Sequence, residues 1–418
     1  MRVIELYNPH VHSVCYSVHV EAGSLTDALS RPGVALLTQR MVLEAETRDF
    51  HRRSPAGRIC NGAVAPAEAF VYVHGHRSNG TEIADIVPSF LNDPNFDVDV
   101  LERERAIIWD NLPDTAEGSL DVGELINRLL IQPDMNWSTF GGRDSISEIG
   151  VEDIEDRFEE CWLDGNAVLS VAGAYKRSDL ERCVEALSRS LRPRSPATMG
   201  PACDILSSGR RMAVAPVNDD RFSLHLLFPC CGVDDPEAPL VQILDVIVGD
   251  GPDSRVRRRL SWESGLAESA GSQPWVLGDR IILEVSVEGS IERLQDISKV
   301  FVRTVESLLM DPPEIDEVHE ARQTLRCLRD FQMDEPQSAA PARGAQFFAS
   351  RLGTAEEMDE RSSRPSRVTP DDIYTVAQRV LSWDNLSVLY VGPQTSAVDA
   401  ILTNTWTSLD MEVWDTGA

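Results

Sequence analysis

The chain has 418 residues, 42% of them hydrophobic and 26% charged, enough for two or three domains with cores of their own. Its 68 Asp and Glu against 39 Lys and Arg leave a formal charge of −29, and Lys176 and Lys299 are the only lysines. Such acidity excludes sequence-independent nucleic-acid binding, which draws its affinity from cations on phosphates. No run approaches the roughly 18 apolar residues of a membrane helix. The opening MRVIELYNPHVHS lacks a basic segment followed by an apolar run, so we expect a cytoplasmic chain without membrane insertion. The eight cysteines form no C-x-x-C pair and read as buried thiols.

In chain order, the run Phe70–His76 reads as an extended strand whose alternation puts His74 and His76 on one face. Two histidines without a third ligand read as surface or interface residues, with a metal as the alternative. Leu101–Trp109 follows a Pro94/Phe96 turn and reads as a charged helix. Glu152-Asp153-Ile154 opens another helix, since acids favour a first turn. Asp164-Gly165-Asn166 stops it, and Ala167–Ala172 makes a buried strand that ends at Gly173. The second half repeats this pattern. Asp371-Asp372-Ile373 opens a helix, Trp383-Asp384-Asn385 stops it, and Leu386–Val391 ends at Gly392. The offset is 219 residues at both Ile154/Ile373 and Gly173/Gly392. We therefore expect an α+β fold of two homologous domains around a groove, residues 1–191 and 211–418. The segment 192–210, rich in Pro, Ser and Gly, is the expected linker.

Other features are weaker. Gly141-Gly142 and Gly249-Asp250-Gly251 lack the Lys-Ser/Thr of a phosphate loop. Arg257-Arg258-Arg259 is a basic island that reads as a solvated turn or a source of local ion pairs.

The segment Val18–Met41 resembles the opening of the pitrilysin/insulinase family of zinc peptidases, which includes mitochondrial processing peptidase. It has a strand, then Glu21-Ala22-Gly23-Ser24, then Gly33-Val34-Ala35 and Met41, where the family carries H-x-x-E-H-Met. Asn61-Gly62-Ala63-Val64 stands where the family has an edge strand, and Glu104-Arg105 where it has Glu-Arg before a metal-binding Glu. Ser254-Arg255 and Gly265-Leu266-Ala267 match later landmarks.

The resemblance extends to the positions of the chemistry but not to its residues. Imidazoles at i and i+4 share a helix face and can grip one zinc ion, with the Glu between as general base. Here those positions read Leu36, Gln39 and Arg40. An aliphatic chain has no lone pair, an amide takes no proton from water, and a guanidinium is donor-only. Asp110 stands at the third-ligand position, and we expect Arg40 to reach into the vacated place and pair with it. The family's substrate-holding Arg and Tyr fall on Ser261 and Glu268, with Arg259 nearby in the wrong register. The resemblance thus implies a non-catalytic subunit with no cofactor of its own. Zinc would lie in a sibling chain with intact H-x-x-E-H, and a peptide would pair with Asn61, Gly62, Ala63 and Val64. The alternatives are a scaffold protein of the same fold and a metalloenzyme with a relocated site at His74 and His76.

Overall fold

In a computed structural model, the structure describes residues 1–27, 31–44, 57–92, 94, 96–111, 121–131, 138–192, 211–350, 368–406 and 410–413. Nearly all of the expected linker, 193–210, lies outside the described residues. No helix among the described residues is long and apolar enough to cross a membrane.

The duplication appears as two mixed sheets. The first has five strands in the order β1-β5-β2-β4-β3: β1 (Arg2–Tyr7), β2 (Ser13–Val20), β3 (Ile59–Val64), β4 (Ala69–His76) and β5 (Ala167–Gly173). The second has six, β11-β6-β10-β7-β9-β8: β6 (Arg211–Pro216), β7 (Arg221–Gly232), β8 (Ser269–Leu277), β9 (Arg280–Ser290), β10 (Ser387–Gly392) and β11 (Asp410–Val413). In each, a parallel pair, β1/β5 or β6/β10, adjoins an antiparallel run, so strands one to five of each half correspond in order, and β11 adds a second parallel pair to the outer side of β6. The repeated helix-stop-strand unit is seen at Val151–Cys161 before β5 and at Pro370–Val380 before β10. Gly173 closes β5 with φ +102°, where a Cβ would lie 2.3 Å from the Ser13 carbonyl oxygen, so only glycine fits the exit.

Strand alternation decides which side chains meet which layer. In the first unit Val14, Tyr16, Val18, Val71, Val73, Leu169 and Val171 face the helices Gly80–Asn92 and Arg177–Ser190, which bring Ile83, Val87, Phe90, Leu180 and Leu187 into the same buried cluster. The intervening residues Cys15, Ser17 and His19 face the other way. There they meet the helix Pro336–Ser350, whose Ala339 and Ala340 pack with Cys15, Tyr72 and Ala172. Gln337 Nε2 donates to the Tyr72 hydroxyl at 3.1 Å.

The two compact units are therefore not contiguous in sequence. The first comprises 1–112, 134–204 and 329–358, and the second 113–133, 205–328 and 359–418. Where the sequence suggests clean halves, the described residues 121–131 group with the second sheet and residues 329–350 with the first. An apolar sheet face is covered by whichever segment can reach it, and no local signal marks that segment.

Candidate functional site

The helix Val34–Glu44, which carries the degenerate motif positions, is held at its start. The Asp27 carboxylate accepts from Gly33 N at 2.9 Å and Ala35 N at 3.2 Å, and Arg157 Nη2 lies 3.4 Å away. Burial pushes the Asp27 carboxyl up to about 6, against the opposing pull of Arg157 and those amides. Gly33 has φ +95°, and a Cβ there would fall 2.6 Å from Ile146 Cδ1 and 2.8 Å from the Phe140 carbonyl oxygen. The helix thus begins in a fixed pose against a buried cluster of Leu37, Met41, Leu101, Ile108, Ile146 and Ile149.

From this helix the three substituted positions diverge. Leu36 is partly buried and packs on that apolar cluster. Gln39 is 2% exposed and leans over the strand pair β3/β4, its Nε2 donating to the Phe70 carbonyl at 3.4 Å. A Cβ on Gly62 would come within 2.4 Å of that Nε2, so a glycine in β3 makes room for the amide. Arg40 places Nε and Nη2 each 2.7 Å from Glu104 Oε2. Glu104, on the helix Val98–Asn111, is 2% exposed, and Arg103 Nε stands 3.4 Å from its other oxygen.

The partner of Arg40 is therefore Glu104, and the expected pairing with Asp110 is corrected. Six residues along a helix turn a side chain roughly 120° away from the starting face. Glu104 shares the buried face with Leu101 and Ile108, while Asp110 is exposed and makes no hydrogen bond or ion pair among the described residues. The donor set does not fit zinc. One position is aliphatic, the amide is turned onto a carbonyl, and the cation is already paired with the nearest buried carboxylate. Among the described residues no group of three or more His, Cys, Asp and Glu has metal-binding geometry. His74 is half-buried and lowered by that burial, its Nδ1 without a partner, whereas His76 is exposed and accepts from Ser78 N. The two side chains share a face of β4, as expected, and the His12 ring stacks on His76 with centroids 6.3 Å apart, but among the described residues no third group completes a metal-binding geometry with them.

The edge strand lies at the outer margin of the first sheet, paired with β4 alone through Ile59↔His74 to Val64↔Ala69. Among the described residues no strand lies beside its outer backbone edge. Gly62 N donates to the neighbouring Asn61 Oδ1 at 2.8 Å, so an amide that does not serve β4 is held by a small exposed side chain. In the second sheet β8 holds the matching edge, but there Pro274 removes a donor and the π-turn Val246–Asp250 presses on the backbone. A Cβ at Gly249 would come 2.2 Å from Ser272 N.

The expected Arg-Tyr positions hold Ser261 and Glu268. Ser261 lies in the π-turn Arg258–Glu263, and half-exposed Glu268 pairs with Arg221 at 2.5 Å. Arg259 turns to Ser307 Oγ at 3.1 Å and takes no part in the sheet face.

The sequence reading missed a device present twice. His19 is fully buried with Nδ1 2.8 Å from Glu68 and Nε2 2.7 Å from Ser17 Oγ. His225 repeats it, with Nδ1 2.6 Å from Glu284 and Nε2 2.9 Å from Ser223 Oγ. The signal was Ser-x-His at 17–19 and again at 223–225, two residues apart and hence on one face of a strand. Burial raises the Glu284 carboxyl, but hydrogen bonds from His225, Gln273 and Trp275 outweigh it and hold the group below the usual carboxylate range. Ser17 is completely buried, so this arrangement satisfies a buried imidazole and does not present a nucleophile.

Residues 148–325 match the family model described as the peptidase M16 inactive domain. Among solved structures, the chain is similar to a peptidase M16 inactive domain from Pseudomonas fluorescens, with 17% identity, TM-score 0.77, and 94% of this chain and 96% of that one covered. It is similar to a protease from Helicobacter pylori, with 15% identity, TM-score 0.80 and the same coverages. A chain of complex III2 from Candida albicans gives 12% identity and TM-score 0.78, covering 97% of this chain and 96% of that one. No curated protein matches.

Proposed function

We propose, for a chain that has the M16 peptidase fold and carries the family's inactive domain over residues 148–325, the role of a non-catalytic peptide-binding subunit. It would work beside a sibling with intact H-x-x-E-H, in which the zinc would reside. One observation carries this reading. The motif helix keeps its position against β3, with Gln39 over Gly62, while the positions for metal and base are filled by groups engaged elsewhere. Pairing with a peptide uses main-chain groups and needs an exposed edge, not a metal. The free edge of β3 offers that, and the blocked edge of β8 does not. The described cysteines are not joined in disulfides, which suits the cytoplasm.

A second reading, a scaffold subunit, is favoured by the likeness to a chain of complex III2. The two separate in one experiment. The chain is co-expressed with a sibling bearing H-x-x-E-H, and hydrolysis of a quenched peptide is measured for each alone and for both together. Activity that needs both chains, and is lost when the sibling's motif is mutated, supports the first reading. A pair no more active than the sibling alone, with no peptide bound to this chain, refutes it.

A further inference from the structure

We propose that Arg257 and Ser286 form a carboxylate-binding site on the polar face of the second sheet. Residues 255–263 run beside β8 as one α-turn followed by a π-turn, a geometry frequent at functional sites. Their arginines have different fates. Arg255 grips Glu317 at 2.8 and 2.7 Å, Arg258 lies 3.6 Å from Glu263, and Arg259 bonds Ser307. Arg257 is half-buried, yet it makes no hydrogen bond or ion pair with any described residue. Its Nη2 would lie 3.9 Å from a Cβ on Gly271, ordinary contact distance, so the guanidinium lies against β8 at that position.

Directly across from Gly271 on β9 stands Ser286. Residues opposed across antiparallel strands share a face, about 5 Å apart. Ser286 is also half-buried, and its hydroxyl has no protein partner among the described residues. The carboxylates on that face are engaged. Glu284 is held by His225, Gln273 and Trp275, and Glu268 and Glu288 share Arg221. None of them neutralises Arg257. Both half-buried donors, one lying against Gly271 and the other opposite it, have lost part of their hydration with no described partner in return. A carboxylate accepts from both, and its bond to the guanidinium is charge-assisted. The carboxylate belongs to a peptide, either its C-terminus or an acidic side chain. That choice of source rests on the peptide-binding reading above, whereas the site itself does not.

The full chain, labelled with 15N, allows a direct test. The Nε–H resonance of Arg257, identified by its loss in Arg257→Lys, is followed as sodium acetate is added at constant ionic strength. A saturating shift is expected, with affinity about fivefold weaker in Ser286→Ala, the size of one lost hydrogen bond. A shift that stays linear in acetate, or is unchanged in Ser286→Ala, overturns the site. Degenerate decapeptide pools with free or amidated C-termini, and with acidic residues present or replaced by their amides, then assign the source. Acetate saturation with no pool binding would keep the site and refute the peptide-binding reading.

Discussion

Removing Arg40 tests the account of the altered motif helix most directly. In Arg40→Ala, Glu104, 2% exposed in the parent, loses two contacts of 2.7 Å and is left with Arg103 at 3.4 Å. A fully buried pair broken on one side costs about 3–5 kcal/mol, and an exposed one at most about 1 kcal/mol. The Arg40 side chain is 33% exposed, so solvent screens its end of the pair. Between those limits we expect a loss of about 2–3 kcal/mol in the first unit. The double variant Arg40→Met/Glu104→Leu removes the stranded charge along with its partner and should recover most of that loss. A chain with two compact units need not unfold in one step, so the readout is amide hydrogen exchange in residues 34–44 and 98–111, set beside urea unfolding. Equal protection in the single and double variants would refute the reasoning. So would a larger loss from Asp110→Ala, which should be close to neutral at an exposed, unpartnered position.

Burial, and more weakly the nearby Asp250 charge, push the Asp245 carboxyl up to about 7, while the Ser272 hydroxyl opposes them. An unfolded Asp titrates near 3.9, so between those values the native chain binds more protons than the unfolded one, and stability falls as pH rises. Asp245→Asn should therefore gain on the parent by on the order of 4 kcal/mol between pH 4 and pH 8; equal urea midpoints for the two proteins at pH 8 would contradict this. Gly62→Val should displace Gln39 and the Phe70 carbonyl, since a Cβ falls 2.4 and 2.2 Å from them, at a cost of about 1–3 kcal/mol seen as faster exchange in β3. Gly344→Ala presses a methyl to 2.2 Å from His19 Nε2 and should loosen the helix Pro336–Ser350 from the first sheet, read as faster exchange in that helix; unchanged protection there would remove the proposed contact.

Local patterning made much of the fold legible. The recurrence at an offset of 219 residues marked the duplication because each helix-stop-strand unit is encoded within about 20 residues of chain. That the motif positions lack zinc-binding donors was likewise plain from Leu36, Gln39 and Arg40, since a side chain's lone pairs belong to its identity and not to its surroundings. The edge position of β3 follows the resemblance and holds in the sheet order. Tertiary structure decided the rest. It chose Glu104 over Asp110 for Arg40, because which face of Val98–Asn111 meets Val34–Glu44 depends on packing across about 60 residues of intervening chain. It assigned residues 329–350 to the first sheet, and it set each buried Ser-x-His opposite its glutamate. Spacing along a chain specifies what one element presents. Which element receives it is fixed by long-range burial, where many weak contacts are compared at once and no short stretch of sequence carries the answer.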